Sequence, residues 1–230
     1  MGLRIMNNVS ATFAQRQLST NSSALAKSLQ KLSSGYRINS AADDAAGLAV
    51  SEKLRYQVKG LEQAQRNVMD GISMVQVAEA GMVQTVTILQ RLRALTLQAA
   101  NGVYQDTDRQ LISQEVTQLI CEIDRLQTTV TFNGVTLFPS STTTITFQVG
   151  ANGGQTIALS LTSLTSSGLS ISTLATTITT STGAAGVIST IDSALNSVLS
   201  MRAKLGAVQN RLEMTNDFLG IQRENVMAAE

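Results

Sequence analysis

The sequence predicts a mainly α-helical protein: a long antiparallel helical bundle, coiled-coil-like, with a small β-hairpin region. Three observations predict this fold. Apolar residues recur every seven positions in two long segments, aromatic residues make up only 3% of the 230 residues, and β-prone runs are confined to the middle of the chain. A heptad repeat keeps one side of a helix apolar, so two such helices can pack along a continuous seam.

Two heptad rows define the predicted partner helices, at about residues 43–100 and 186–230. The first row consists of Leu54, Leu61, Val68, Val75, Met82 and Leu89. The second consists of Ile191, Val198, Leu205 and Leu212, and continues to Leu219 and Val226. A companion row four residues after the first alternates Val58, Ile72 and Val86 with Gln65, Glu79 and Arg93, and the second row's companion includes Arg202 and Gln209. We predict that these polar residues hydrogen-bond across the seam and fix one alignment of the helices.

The segment between the two rows is predicted to hold a shorter helix and a hairpin. Thr107 and Gln110 have the spacing of a capping box, which predicts a helix at about residues 106–130. In residues 131–185, two β-prone runs flank the turn residues Gly150 to Gly154. A Ser/Thr-rich tract from residue 160 to about 186 follows, and its weak periodicity predicts irregular structure exposed to solvent.

The first 42 residues are predicted to form a separate unit, and residues 43–230 the bundle domain. A thin apolar stripe marks a first helix, formed by Leu18, Leu25, Leu29 and Leu32. One helix with so little apolar surface is marginal in water and needs a partner.

The link between this helix and the long one is read as a bend. Gly35 allows the chain to turn, Ser40 is the expected N-cap of the long helix, and Asp43 and Asp44 suit its first turn. Adjacent helical side chains point about 100° apart, which argues against a catalytic carboxylate pair here.

Composition argues against several classes of function. The net charge is +1 and the charged residues are interspersed, so no basic stripe predicts nucleic-acid binding. With no His and the single cysteine Cys121, neither a Cys/His nucleophile nor a cysteine-rich metal site is expected, and no cofactor is predicted. Cys121 itself is interpreted as a small, partly buried residue rather than a redox-sensitive thiol. An enzyme is not expected.

No cleavable signal and no apolar run of roughly 18 residues is evident, so no membrane span is predicted. Export would then require a route that does not read such a signal.

Several motifs together resemble the bacterial flagellins. The segments are "LSSGYRINSAADDAAGLAVSEKLR", "GLEQAQRNVMDGISMVQVAEAGM", "LQRLRALTLQAANG", "FNGVTLF" and, near the end, "LGAVQNRLEMTND". The resemblance covers about residues 5–138 and 187–230 in the order of that family. It implies a structural subunit that self-assembles helically into the flagellar filament for motility, with the first helix in the inner tube of the polymer.

The resemblance also implies partners and a location. The partners are other flagellin subunits, the flagellar type III export apparatus, and cap and junction proteins. The location is the flagellar filament, extracellular or periplasmic. The alternatives are a hook-filament junction protein and a flagellin-like cell-surface adhesin or binding protein.

Two departures from the family pattern stand out. The variable region, from Phe138 to about residue 185, is short. The family continues past the position of Glu230 through a second inner-tube helix, so the helix at residues 5–35 is expected to lack that partner.

A further implied partner is the flagellin-sensing Toll-like receptor. The stretch "QRLRALTLQ" resembles the family motif "QRVRELAVQ", which places the receptor contact at Arg91, Leu95 and, on the next helix, Glu115. Ala94 stands where recognised members carry an acidic residue, so recognition is expected to be weaker. The alternative is that these residues, expected to be exposed, form a contact between subunits in the filament.

Overall fold

The computed structural model describes residues 8–139 and 141–230, which form long helices and two small antiparallel sheets. The helices are α1 (Val9–Ser34), α2 (Ala45–Ala100), α3 (Asp106–Thr129), α4 (Leu174–Thr177) and α5 (Ser181–Ala229). The strands are β1 (Thr131–Phe132), β2 (Val135–Thr136), β3 (Thr143–Gln148) and β4 (Thr156–Leu161). The predicted mainly helical fold with a small hairpin region is confirmed.

The chain divides into two compact units, one of residues up to Val58 with Val226–Glu230, the other Lys59–Asn225. The boundary predicted after residue 42 therefore falls inside the first unit.

In the first unit, α1 is capped at both ends. The side chain of Asn8 accepts a hydrogen bond from the Ala11 amide at 3.1 Å, which satisfies a free donor at the helix start. At the other end Gly35 has φ +74°, a left-handed conformation that glycine adopts without a Cβ clash. The bend predicted at this glycine is therefore present.

The start of α2 differs from the prediction. The Asp44 carboxylate accepts a hydrogen bond from the Gly47 amide at 2.9 Å, so Asp44 is the N-cap. Ser40 instead donates to the Asp43 carboxylate at 3.2 Å. The predicted Ser40 cap is wrong because α2 begins five residues later, at Ala45.

In the second unit, the predicted seam residues of α2 and α5 are buried. Those on α2 are Leu61, Val68, Val75, Met82 and Leu89, and those on α5 are Ile191, Val198, Leu205, Leu212 and Leu219. Leu54, which belongs to the first unit, is half-buried.

The continuous buried companion rows lie three residues after the seam residues, not four, so the predicted spacing is wrong. Of the apolar companions predicted on α2, Val58 and Val86 are nevertheless buried, and Ile72 is half-buried. On α2 the buried companions are Ala64, Gly71, Ala78, Thr85, Leu92 and Ala99. On α5 they are Ala194, Met201 and Val208. Most side chains of this α2 row are small, so on α2 the seam combines one row of large side chains with one row of small side chains. The polar residues four positions after the seam residues, including Glu79, Arg93 and Arg202, are half-buried on the flank of the seam.

These flanking positions carry ion pairs that align α2 with α5. Arg202 lies 3.2 Å from Glu79, Arg93 lies 2.7 Å from Asp192, and Arg223 lies 4.0 Å from Glu62. On α2, Glu62 and Arg93 are separated by the same number of residues as Asp192 and Arg223 on α5. The Glu62–Arg223 and Arg93–Asp192 pairs therefore have the spacing expected of two antiparallel helices.

The predicted pairing across the seam is thus confirmed for Glu79 and Arg202. Gln209 instead donates to Glu213 of its own helix at 2.9 Å. The hydrogen bond from Arg93 to Asp192, reinforced by the negative charge of that carboxylate, raises the pKa of the Arg93 guanidinium.

The expectation of no long apolar run does not hold for α2. One 18-residue window of this helix has a mean hydropathy of 1.3, which by length and composition would suffice to cross a membrane. Within the protein 44% of that window is buried, and the core helix of a bundle passes the same test.

Glycines in α2 mark where the hairpin approaches the helix. A Cβ placed on Gly60 would lie 2.9 Å from the Ala151 Cβ, and one on Gly71 would lie 3.1 Å from the Phe147 ring. The Asn67 side chain donates to the Gln148 carbonyl at 3.3 Å beside this contact. Glycine costs helix stability, and here it leaves room for the hairpin.

Two hairpins follow α3. The β1–β2 hairpin, which the sequence reading did not identify, turns at Asn133 (φ +48°) and Gly134 (φ +78°). An Asn-Gly pair is the common signal for such a turn. The β3–β4 hairpin, predicted around Gly150 to Gly154, is confirmed, and its register pairs Thr143 with Leu161 through to Gln148 with Thr156.

The Ser/Thr-rich tract is less exposed than predicted. Its apolar residues are buried, namely Leu161, Leu164, Leu169, Ile171, Leu174 and Ile178. The tract includes α4, and α5 begins at Ser181 rather than near residue 186. The Asp124 carboxylate of α3 accepts hydrogen bonds from the amide and hydroxyl of Ser166 at 2.8 and 2.7 Å. The prediction failed because the buried residues are irregularly spaced and follow no helix or strand period.

The turn from α2 to α3 depends on Arg109, which is buried. Its guanidinium donates to the carbonyls of Ala99 and Asn101 at 2.8 and 3.0 Å, and to Asp106 at 2.8 Å. The arginine therefore satisfies carbonyl groups that end α2 and interacts favourably with the helix dipole.

The predicted Thr107/Gln110 capping box is wrong because the cap lies two residues earlier. The helix begins at Asp106 with Gln105 as N-cap, and the Asp108 carboxylate accepts from the Gln105 amide at 3.1 Å.

We predict that Gly60→Ala destabilises the second unit by about 1–2 kcal/mol, because the added methyl meets the hairpin turn and outweighs the gain in helix propensity. Urea unfolding followed by circular dichroism measures the change. Gly206→Ala in α5 is the matched control, since a Cβ there would meet no atom within 4 Å. The control should stabilise by about 0.5–1 kcal/mol. Equal effects of the two substitutions would contradict the close approach.

We predict that Arg109→Met lowers the free energy of unfolding by about 2–3 kcal/mol, because it leaves buried carbonyls without a donor. Arg125→Met is the control. Arg125 forms an exposed bidentate pair with Glu122, at 2.6 and 2.7 Å, and its hydrogen bond lowers the pKa of the Glu122 carboxyl. Exposed pairs of this kind contribute little to stability, because solvent screens the two charges. Chemical denaturation of both variants measures the difference, and a smaller loss for Arg109→Met than for the control would refute the role of Arg109.

Candidate functional site: surfaces for assembly and recognition

The first candidate surface is the apolar stripe of α1. Leu18, Leu25, Leu29 and Leu32 are 58–85% exposed, and none of the residues in α1 is buried. Val9 and Phe13 are also exposed, but at about 100° per residue they lie on the other side of α1 from the leucine stripe. An exposed stripe of this length is a surface that another helix can cover.

The second candidate surface brings α2 and α3 together at Arg91 and Glu115. The guanidinium lies 2.6 Å from the Glu115 carboxylate, and the two side chains are 57% and 44% exposed. A charged pair on the surface can form hydrogen bonds with a partner molecule at modest desolvation cost.

Leu95, the third residue of the predicted contact, is 3% exposed. The expectation that it is exposed is wrong, because Leu95 is buried one helical turn after Arg91, the residue that contacts α3 through Glu115. Leu95 therefore supports the surface from beneath, and Arg91 and Glu115 are the two of the three predicted residues that a partner can reach.

A third surface was missed by the sequence reading. Met214, Phe218 and Ile221 of α5 are 72%, 61% and 61% exposed. Their spacing of four and three residues places them on one side of the helix. They belong to neither heptad row, so the search for seam residues did not identify them.

Cys121 is exposed and free, which corrects the expectation that it is partly buried. Among residues 8–139 and 141–230, no group of three or more His, Cys, Asp or Glu side chains is placed to hold a metal ion. A cleft of about 410 Å³ in the first unit is lined by Tyr36, Arg37, Val50 and neighbouring side chains, and carries no cluster of acids or bases.

Models of known protein families match the two parts of the chain that contain the long helices. The model of the bacterial flagellin N-terminal helical region matches residues 5–143, and that of the C-terminal helical region matches residues 188–230.

Individual relatives cover nearly the whole chain. The flagellar filament 30.7 kDa core protein of Treponema maltophilum is 41% identical, over 98% of this chain and 84% of the relative. The flagellin of Bacillus subtilis is 40% identical, over 99% of this chain and 86% of the relative. The crystal structure of Bacillus cereus flagellin superposes with a TM-score of 0.59 at 29% identity, covering 72% of this chain and 95% of that one. Because two family models and relatives that match nearly the whole chain agree, the chain belongs to the bacterial flagellin family.

Proposed function

We propose that this chain is a structural subunit of the bacterial flagellar filament, which self-assembles helically and serves motility. The observation that carries the proposal is α1, a helix of 26 residues with its apolar stripe exposed. A stripe that the subunit leaves uncovered gains stability when copies pack together. Filament relatives of about 40% identity support the same role.

The proposal assigns the exposed α1 stripe to contact between subunits in the inner tube, and places the protein in the flagellar filament. The function requires no catalysis and no cofactor. The flagellar export apparatus and the cap and junction proteins are the further partners that this role implies. The junction and adhesin alternatives are not favoured, because relatives named as flagellar filament core proteins match over nearly the full chain.

The decisive test is assembly of Leu25→Asp/Leu29→Asp, compared with the wild type by sedimentation and negative-stain electron microscopy. We predict filaments from the wild type, while the variant stays in the supernatant with an unchanged thermal unfolding midpoint. The midpoint should not move because both leucines are already exposed. Burying a charge in a subunit contact is costly, so assembly should fail.

Ser23→Asp/Gln30→Asp is the matched control, since these residues lie on the opposite side of α1. The control should assemble. If the leucine variant forms filaments, the α1 stripe is not the contact between subunits. If the wild type never assembles, the proposed function is wrong.

We also propose that Arg91 and Glu115 form an interaction surface on the second unit, for the flagellin-sensing Toll-like receptor or for a neighbouring subunit. Arg91→Ala should reduce receptor signalling in reporter cells by roughly tenfold, the effect of losing one anchor residue. Ala94→Glu, which restores the acidic residue of the family motif, should increase the signal.

Arg66→Ala is the control, because Arg66 is an exposed arginine on the same helix. Equal loss from both arginine variants would contradict a specific site. Impaired filament assembly of Arg91→Ala with unchanged signalling would assign the surface to subunit packing.

A further inference from the structure

The charged residues of the chain are interspersed only beyond residue 42. The first 42 residues contain five basic residues and no acidic one, whereas all 16 acidic residues of the chain lie after them. The rest of the chain therefore has a net negative charge, and the first segment is purely basic although the whole protein has a net charge of only +1. Such an asymmetry indicates an acidic partner for the basic segment.

The helix α1 carries three of these basic residues, Arg16, Lys27 and Lys31, and contains no Asp or Glu. Arg16 and Lys27 are exposed, and Lys31 is half-buried. None of the three forms an ion pair within the described part of the chain. The positive charge of α1 is therefore available to another molecule.

These charges lie on the side of α1 opposite the leucine stripe. Each basic residue is two positions from a leucine of the stripe, and two positions correspond to about 200° around an α-helix. Phe13 also lies on the charged side, where the Arg16 guanidinium is 5.6 Å from the centre of its ring. The helix is thus amphipathic, with an exposed apolar stripe and an opposite side whose charges are all positive.

The placement of the charges favours a lipid surface over other acidic partners. An acidic helix docked on the leucines would be out of reach of cations on the far side of α1, and a nucleic acid bound to the cations would leave the leucines in water. A lipid surface extends past both flanks of a helix that lies on it. Its negative potential reaches about 10 Å into water at 0.1 M salt, which is close to the diameter of a helix. Lysine side chains can also bend toward the headgroups along their apolar stems.

The helix α1 is suited to lie on a membrane rather than to cross it. Among the described helices, only α2 contains an 18-residue window apolar enough to span a bilayer. A helix with one apolar stripe and a basic polar side lies in the plane of the interface between headgroups and acyl chains.

We propose that α1 of the unassembled subunit binds the surface of membranes rich in anionic phospholipids. The leucine stripe enters the interface, and Arg16, Lys27 and Lys31 are attracted by the negative headgroups. The inference goes beyond the proposed filament function. Because the stripe cannot face lipid and a neighbouring subunit at once, the two bound states exclude each other.

The first test is flotation of the full chain with lipid vesicles in a sucrose gradient, in which vesicles rise while filaments and free protein do not. We expect the wild type to rise with vesicles of equal parts phosphatidylcholine and phosphatidylglycerol. Its partition coefficient should be at least roughly tenfold lower for vesicles of phosphatidylcholine alone, since three basic residues contribute to the attraction. Salt at about 1 M should remove most of this preference. No flotation, or equal flotation with both kinds of vesicle, would overturn the proposal.

The second test removes the lysines. Lys27→Gln/Lys31→Gln should lower the partition coefficient for the anionic vesicles by roughly tenfold. Lys204→Gln/Arg211→Gln is the matched control, since it removes the same charge at exposed sites of α5. The control should bind like the wild type, and equal losses in the two variants would contradict a site on α1. Circular dichroism checks that both variants fold, which we expect because no residue of α1 is buried.

A third test asks which side of α1 meets the lipid. The chain contains no Trp, so one introduced Trp reports its own surroundings. With anionic vesicles, the emission of Leu25→Trp should shift to shorter wavelength and be quenched by lipids with brominated acyl chains. Ser23→Trp, on the opposite side of α1, should keep the emission that it has in water. Equal responses of the two variants would overturn the assignment of the leucine stripe to the lipid.

Flotation and filament assembly are separate measurements on the same protein, so the two proposals can fail independently. Filaments from a wild type that does not rise with anionic vesicles would overturn lipid binding and leave the filament function intact. Flotation of a wild type that never forms filaments would support lipid binding and overturn the filament function.

Discussion

The antiparallel seam between α2 and α5 is the constraint on which the second unit depends. Large aliphatic residues such as Leu61, Val75 and Met82 are buried on α2 beside a row of small residues that includes Ala64 and Gly71. The small row allows close packing, and its glycine position also admits the aromatic ring of Phe147. Ion pairs along the seam flanks favour one alignment, because a shift of the helices would separate every pair.

The middle of the chain is stabilised differently, because it contains no charge. Between Arg125 and Asp192 the sequence has no Asp, Glu, Lys or Arg. The Ser/Thr-rich tract is therefore hydrogen-bonded to α3 through neutral side chains and one carboxylate, that of Asp124. Gln127 donates to the Leu164 carbonyl at 2.9 Å in the same interface. These individual hydrogen bonds anchor a segment that has no repeating secondary structure of its own, although Gln127 Oε1 has no hydrogen-bond partner among the described residues.

Folding and assembly use different sides of the same helices. On α5 the inner side forms the seam with α2, whereas the outer side keeps the exposed apolar residues Met214, Phe218 and Ile221. On α1 the whole apolar stripe is left exposed. A subunit that is stable through its seam and still carries uncovered apolar surface can fold first and polymerise afterwards, which is the behaviour that a filament protein requires.

The sequence by itself determined the helical class, the two seam rows, the β3–β4 hairpin and the family. These depend on local periodicity and turn chemistry, which the order of residues expresses directly. The tertiary structure alone decided which companion row is buried, because only the approach of α5 distinguishes positions three and four residues away. It also decided that Leu95 is buried, that Arg109 caps α2, and that the Ser/Thr-rich tract is partly buried. Each of these depends on contacts between residues distant in sequence, and no periodic pattern records such contacts.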